Sequence, residues 1–407
     1  MPADRGDAPA VHCWAPGSVS LPATGAGPLD GVTVAVKDMF AVAGHVSSFG
    51  HPRWRATHPP SAETAPAVSR LLAAGASVAG LAKLDQLAYS LIGNAGEGTA
   101  PLNSQYPGRF TGGSSSGPAA AVAAGLAGLG LGTDTAGSIR VPAASCGLFG
   151  FRPSHGLVGA RGVLPLAPSF DVVGILARSA AMLGPVLEVL ASPGAARPLA
   201  AARSVHVAGG LAGISPELAD AVRATAAVIA DRWGCEVSET PLDDFINDDV
   251  ADLFARVQGR EVWRAHRSWL AANRQFLADD VQARVQRAEA LSQPGDPRRQ
   301  EDERAWRGYA ARLDRVLPPG SVAVLPVTPG LPPLRDAGPR DLLAFRAGAF
   351  RFTAPASLAG RPELVVPVHH RSSGQRFGVG VLGWPSGDVA LLELARLLCP
   401  GDAVLAV

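Results

Sequence analysis

"TGGSSSGPAAAVAAGLAGLGLGTDTAGSIRVPAASCGLFGFRPSHG", residues 111–156, sets a glycine- and serine-rich loop directly against an apolar run. A flexible linker would lead into more polar chain. This loop leads into "PAAAVAAGLAG", an alanine-rich helix with Pro118 in its first turn, where the missing N–H costs nothing. From 128 to 156 the stretch reads as a short strand, a tight turn, a small helix and another strand. Helix, strand and helix in such close succession are the mark of an α/β protein.

The same alternation continues outward. "GVTVAVKDMF" (31–40) reads as a buried strand in which Val32, Val34 and Val36 alternate with Thr33, Ala35 and Lys37. Residues 65–89 read as a helix ending near Gly75, a short strand at 76–81, then more helix. Residues 102–117 are a polar Gly/Pro/Ser loop, and 213–315 is charged and helical. "SVAVLPV" (321–327), "PELVVPV" (362–368) and "FGVGVLG" (377–383) return to strand, and "VALLELARLL" (389–398) closes as a helix. The expected architecture is one unit over 1–407, with a central mixed, mostly parallel β-sheet covered by helices on both faces. Its core spans about 29–200, a helical insertion spans about 213–315, and segments from about 320–407 return to the sheet.

Composition narrows the function. With 47% hydrophobic and 17% charged residues the chain can bury a large core and is too apolar for disorder. A net charge of +1 indicates neither nucleic acid nor an acidic membrane surface as partner. The start has no apolar leader, and the longest apolar run, near 119–132, is broken by glycines, so a bacterial, cytoplasmic protein off the membrane is expected. Cys13, Cys146, Cys235 and Cys399 lie far apart and read as reduced and buried. GxxxxGK[ST], GxGxxG and HExxH are absent, so no metal, nucleotide or other cofactor is implied. Among 36 basic residues only Lys37 and Lys83 are lysines. A lysine kept against that bias points to chemistry that arginine, which holds its proton, does not offer.

Taken singly, the polar features have ordinary readings. Ser and Gly before an alanine-rich helix cap its free N–H groups, Ser138 is a further cap, and Lys37 is a strand-end lysine reaching solvent. "GSSSG" (113–117) also matches the nucleophile elbow GxSxG, with Ser115 as nucleophile and His369 or His370 as base. That elbow must follow a strand, and "NSQYPGRFT" before it is a loop.

Taken together, they resemble the amidase signature family: "VAVKD", then "GGSSSGPAAAVAAG", then "GTDTAGSIRVPAASCGLFGFRPSHG", with Ser114 and Ser138 24 residues apart. The resemblance is strong over 29–178 and recognisable again over 321–397, in "VLPVTP" and "FTAPASLAGRPELVVPV". It implies an amidase signature fold with Ser138 as acyl-forming nucleophile. Ser114, on a cis peptide, is the bridging serine, and Lys37 is the base. It also implies an oxyanion hole of the amides of Thr135, Ala136, Gly137 and Ser138. Gly112, Gly113 and Ser115 support the serine loop, Asp134 braces the turn, and Arg140 orients the serine loop. The serine loop is then a proton relay at a helix start.

Physical chemistry supports these residue types independently. A serine hydroxyl needs a neighbouring base to attack. A lysine serves if burial disfavours its ammonium form, and the valines before Lys37 supply such a setting. The chain departs from the family pattern at several places. Ala136 stands for a frequent glycine, Pro118 for a small polar residue, and Met39 and Ala41 for Asn and Asp. Lys83 reads as a surface lysine without a role.

The expected activity is cleavage of a small carboxamide to an acid and ammonia or an amine. Within the family the chain looks most like compact indole-3-acetamide-hydrolase-like enzymes, which points to an aryl- or alkyl-acetamide. Pocket residues are expected from the loops after Lys37 and before Gly112 and from the helical middle. Two rival readings are the glutaminase subunit of a glutamine-dependent amidotransferase and a catalytically silent amidase-fold binding protein. The oligomeric state is open, a homodimer being the form considered.

Overall fold

A computed structural model describes residues 10–192, 204–208, 213–240, 242–400 and 404–407. Its strands are β1 (Thr33–Lys37), β2 (Ser77–Ala82), β3 (Leu129–Asp134), β4 (Phe149–Arg152), β5 (Val172–Ala177) and β6 (Ser204–Ala208). They continue with β7 (Val237–Thr240), β8 (Ser321–Pro326), β9 (Glu363–His369), β10 (Arg376–Leu382) and β11 (Leu405–Ala406). All belong to one sheet of order β2-β1-β3-β5-β4-β9-β10-β8-β6-β7, with β11 beside β9.

Alternate residues along the strands feed two cores, one on each face. Val34, Val36, Leu129 and Leu131 meet the helices Pro66–Ala73, Ala180–Leu190, Pro216–Trp233 and Asp388–Leu398. Ala35, Ala82, Ala323 and Leu325 lie in the opposite core with Ser116–Ala123, Arg140–Cys146, the first half of Asp248–Asn273, Arg299–Val316 and Pro339–Ala359. The α/β sheet with helices on both faces is therefore as expected, and mixed.

Three details differ from expectation. Parallel pairs do not predominate: among the described residues five pairings are parallel and five antiparallel. The parallel pairs flank an antiparallel centre, because β5, hidden in "DVVGILA" after a proline-rich loop, turns back between β3 and β4. The helical stretch 213–315 contains a strand, β7, which the helix Pro216–Trp233 links in parallel to β6. The helix expected after β2 is only the turn Gln86–Ala88, since Leu87 and Ala88 take φ of +55°. That backbone serves the site instead: the Asp85 amide donates to the Ser114 carbonyl at 3.3 Å.

The cysteines are unpaired, with Cys235 half-buried rather than buried. No helix among the described residues is long and apolar enough to cross a membrane.

Candidate active site

β1 and β3 run parallel in register, Val36 opposite Leu131, so both strands deliver polar residues to their carboxyl ends. In open α/β sheets that is where ligands bind. Lys37, the last residue of β1, sends its ammonium to Ser114 Oγ at 2.9 Å and to Thr133 Oγ1 at 2.8 Å. Ser114 Oγ donates in turn to Ser138 Oγ at 3.0 Å. The Gly113–Ser114 peptide is cis. Lys37, Ser114 and Ser138 thus form one unbroken hydrogen-bonded line, with Lys37 and Ser114 wholly shielded from solvent.

Burial disfavours the Lys37 ammonium and pulls its pKa down to about 7, against the upward pull of Asp85, Asp134 and Asp171. A large share of neutral amine is therefore present near neutral pH. In that form Nζ is an acceptor, and the same 2.9 Å contact can take the proton of Ser114 Oγ. Thr133 adds a second oxygen that holds Nζ in place, its own hydroxyl donating to Met39 Sδ at 3.4 Å. Thr133 lies inside the "GTDTAGS" motif, but nothing in that motif marks it as a partner of Lys37.

The turn after β3 is held by a buried charge network. Asp134 accepts from the amides of Gly137 at 2.9 Å and Ile139 at 3.1 Å, which ties the turn together. Arg140 grips the same carboxylate in a fork at 2.9 and 3.0 Å and reaches Glu363 at 2.6 Å. Arg152 adds a second cation on Asp134 at 3.0 Å. Burial pushes Asp134 up, but Arg140 and Arg152 outweigh it and hold the carboxyl well below its usual range. Two carboxylates and two guanidiniums balance in a dry interior. Arg140 accordingly does not orient the serine loop, contrary to what the resemblance implies; its partners are Asp134, Glu363, Ser357 Oγ and the Thr353 carbonyl. Arg152 and Glu363 lie within the quoted motifs, but nothing local marks them as partners of Asp134 and Arg140, because they join this network from β4 and β9.

Arg140→Met is expected to lower unfolding free energy by about 3–5 kcal/mol, since it leaves Asp134 and Glu363 with one cation between them. Urea denaturation measures this, and a loss below about 1 kcal/mol would show that the network is not needed for stability.

The same turn presents backbone donors. Gly137 has φ +116°, and a Cβ there would fall 2.9 Å from Thr353 Cγ2. Thr353 Oγ1 fastens the turn by donating to the Ala136 carbonyl at 2.7 Å. The Gly137 amide, expected in the oxyanion hole, is engaged by Asp134. No hydrogen bond engages the amides of Thr135, Ala136 and Ser138 among the described residues.

The serine loop packs on Asp85, whose carboxylate accepts from the amides of Gly93 and Ala95 at 3.0 Å. Burial raises its pKa to about 6 despite those bonds. A Cβ on Gly113 would lie 1.9 Å from Asp85 Oδ2, and Gly112 takes φ +71°, so both glycines answer to real constraints. Ser115 Oγ donates to the Thr133 carbonyl at 3.3 Å, and its amide donates to the Ser138 carbonyl. His370 bonds to Ser373 at 2.8 Å, after β9. Ser115 thus has no histidine base among the described residues, and the elbow reading fails. Lys83 is half-buried and donates to the Thr99 carbonyl at 2.9 Å.

Beside Ser138 lies a narrow cleft, walled by Ala88, Tyr89, Ser90 and Leu91 before Gly112, by Leu166, and by Gln258, Arg346 and Phe350. Gln258 belongs to the helical middle, as expected. Arg346 and Phe350 come from the helix Pro339–Ala359, which no sequence motif links to the pocket. Met39, after Lys37, faces a separate cavity with Thr133 and Asp171.

The family profile described as Amidase matches residues 18–208. The protein named Amidase 1 from Oryza sativa subsp. japonica is 35% identical over 400 residues, covering 91% of this chain and 90% of that one. The chain belongs to the amidase family. A solved structure described as an amidase superposes on it with a TM-score of 0.78 at 30% identity, covering 91% of this chain and 85% of that one. A glutamyl-tRNA(Gln) amidotransferase component from Haloarcula marismortui is 29% identical, covering 91% of this amidase and 96% of itself. The amidase is an enzyme of amide hydrolysis, and every member of the line Lys37–Ser114–Ser138 lies within the matched residues.

Proposed function

We propose that the enzyme hydrolyses a small carboxamide through an acyl-enzyme on Ser138, with Lys37 as base and Ser114 as the bridge between them. The observation that carries this is the buried line of hydrogen bonds from Lys37 to Ser138, at 2.9 and 3.0 Å. As Ser138 Oγ attacks the carbonyl carbon, its proton passes to Ser114 and that of Ser114 to the neutral Lys37. The carbonyl oxygen becomes an anion held by the amides of Thr135, Ala136 and Ser138. The Lys37 proton then returns to Ser114, which gives its own proton to the leaving nitrogen as the C–N bond breaks. Water attacks the resulting ester by the same relay and releases the acid. The apolar walls at Ala88, Leu91, Leu166 and Phe350 suit an alkyl or aryl acyl group. The cell interior is the proposed location.

The direct test is intact mass after treatment with a broad fluorophosphonate, followed by peptide mapping. A single adduct on Ser138 is expected. An adduct on Ser115, or none, would overturn the assignment. The glutaminase reading draws on the amidotransferase relative, but among the described residues no carboxylate lines the cavity to meet the ammonium of glutamine. Turnover of glutamine only with an added partner would favour it.

A further inference from the structure

Two polar side chains that face the cavity beside Ser138 take no part in the proton relay. Gln258, on the helix Asp248–Asn273, is only 1% exposed, yet its Oε1 has no hydrogen-bond partner among the described residues. Arg346, on the helix Pro339–Ala359, is half-buried, and its Nε is shut off from solvent and equally unpartnered. A buried polar group left unpaired costs about 1–3 kcal/mol, more if charged, so two in one small cavity call for a ligand.

The sign of that ligand follows from the surrounding charges. Arg346 makes no ion pair among the described residues, and its guanidinium lies over the Phe350 ring at 4.3 Å. Arg284 and Arg287 stand near it. Each already has a carboxylate: Arg284 pairs with Asp280 at 2.7 Å and Arg287 with Asp252 at 3.2 Å. Asp280, which also acts on Arg346 from a distance, is engaged by Arg284, so no carboxylate is in contact with the Arg346 guanidinium among the described residues. A guanidinium presents parallel N–H groups that match a carboxylate. As placed, the unpartnered Oε1 of Gln258 is an acceptor; no hydrogen bond fixes that orientation, and with the amide turned over its NH₂ meets the same anion.

We propose that Arg346 and Gln258 form a carboxylate subsite, and that the enzyme acts on amides whose acyl chain ends in an anionic group. Monoamides of short dicarboxylic acids are the substrate class that fits. The apolar walls take the methylenes, Ser138 attacks the amide carbon, and the far carboxylate meets Arg346. The product is a dicarboxylate. This rests on the acyl-enzyme reading and adds the specificity that the apolar walls alone do not provide.

Kinetics of succinamate, glutaramate and adipamate against the neutral butyramide, valeramide and hexanamide test it, alongside fluorophosphonate labelling of Ser138. At least one anionic amide is expected to exceed its neutral partner in kcat/KM by roughly tenfold to a hundredfold, the range for hydrogen bonds to charged groups. Arg346→Gln should collapse that ratio towards one, Arg346→Lys should restore part of it, and Gln258→Leu should lower it less. A wild-type ratio near one with Ser138 labelled overturns the subsite and leaves the amidase mechanism standing. A ratio that Arg346→Gln does not change overturns it too. If Ser138 is not labelled, the mechanism falls, and calorimetric binding of glutarate then reads the subsite by itself. Affinity lost in Arg346→Gln supports it, and no binding to the wild type overturns it.

Discussion

Ser138→Ala is expected to lower kcat on any good carboxamide by about a million-fold, the scale on which removing a serine nucleophile has been felt in other hydrolases. No neighbouring serine can replace it. Ser114 is fully buried and lies behind Ser138 on the relay, and Ser115 is turned towards the Thr133 carbonyl. Fluorophosphonate labelling should vanish with turnover, while thermal unfolding changes little, since the hydroxyl removed makes one hydrogen bond with Ser114. Residual activity within about a hundredfold of wild type would mean that the acyl group is carried elsewhere.

Lys37→Met is expected to lower kcat/KM by about 10²–10⁴-fold, the usual contribution of a positioned base. Its pH dependence separates it from a merely structural loss. The wild-type kcat/KM should rise as pH climbs through about 7, because only the neutral amine accepts a proton and burial has brought Lys37 into that range. In Lys37→Met that limb should disappear. Stability gives an independent reading. The folded value of Lys37 lies below its unfolded value of about 10.4, so between about 7 and 10.4 the unfolded chain binds the extra proton. Wild-type stability therefore gains from Lys37 as pH rises through that window and loses it below about 7. Lys37→Met should lack this increment and be more stable than wild type at low pH. A wild-type activity profile flat from pH 6 to 8 would exclude Lys37 as the titrating base at about 7.

The chemical core is legible in the sequence because its groups sit at the ends of short, strongly patterned segments. The alternation Val32, Val34, Val36 marks β1 and places Lys37 at its end. "GGSSSG" against an alanine run marks the start of the helix Ser116–Ala123, and "TDTAGS" marks a turn after β3. Backbone periodicity and glycine chemistry act locally, so each segment carries its own structural signal, while the chemical roles come from the resemblance that the three segments carry together. The antiparallel return of β5 is not legible, because a buried six-residue apolar strand looks the same whichever way it runs.

What the sequence alone determined, then, was the α/β class of the fold, and the resemblance it carries named the nucleophile, bridge and base proposed for the reaction. Tertiary structure decided everything that depends on two segments meeting. It set the partners of Arg140, which reach from Asp134 to Glu363 across more than two hundred residues of chain. It engaged the Gly137 amide, placed Thr133 against Lys37, and brought Gln258 and Arg346 to one cavity beside Ser138. The physical reason is that charge neutralisation and desolvation depend on distance in space. A guanidinium on a helix carries no local mark of the carboxylate it will face, or of the absence of one.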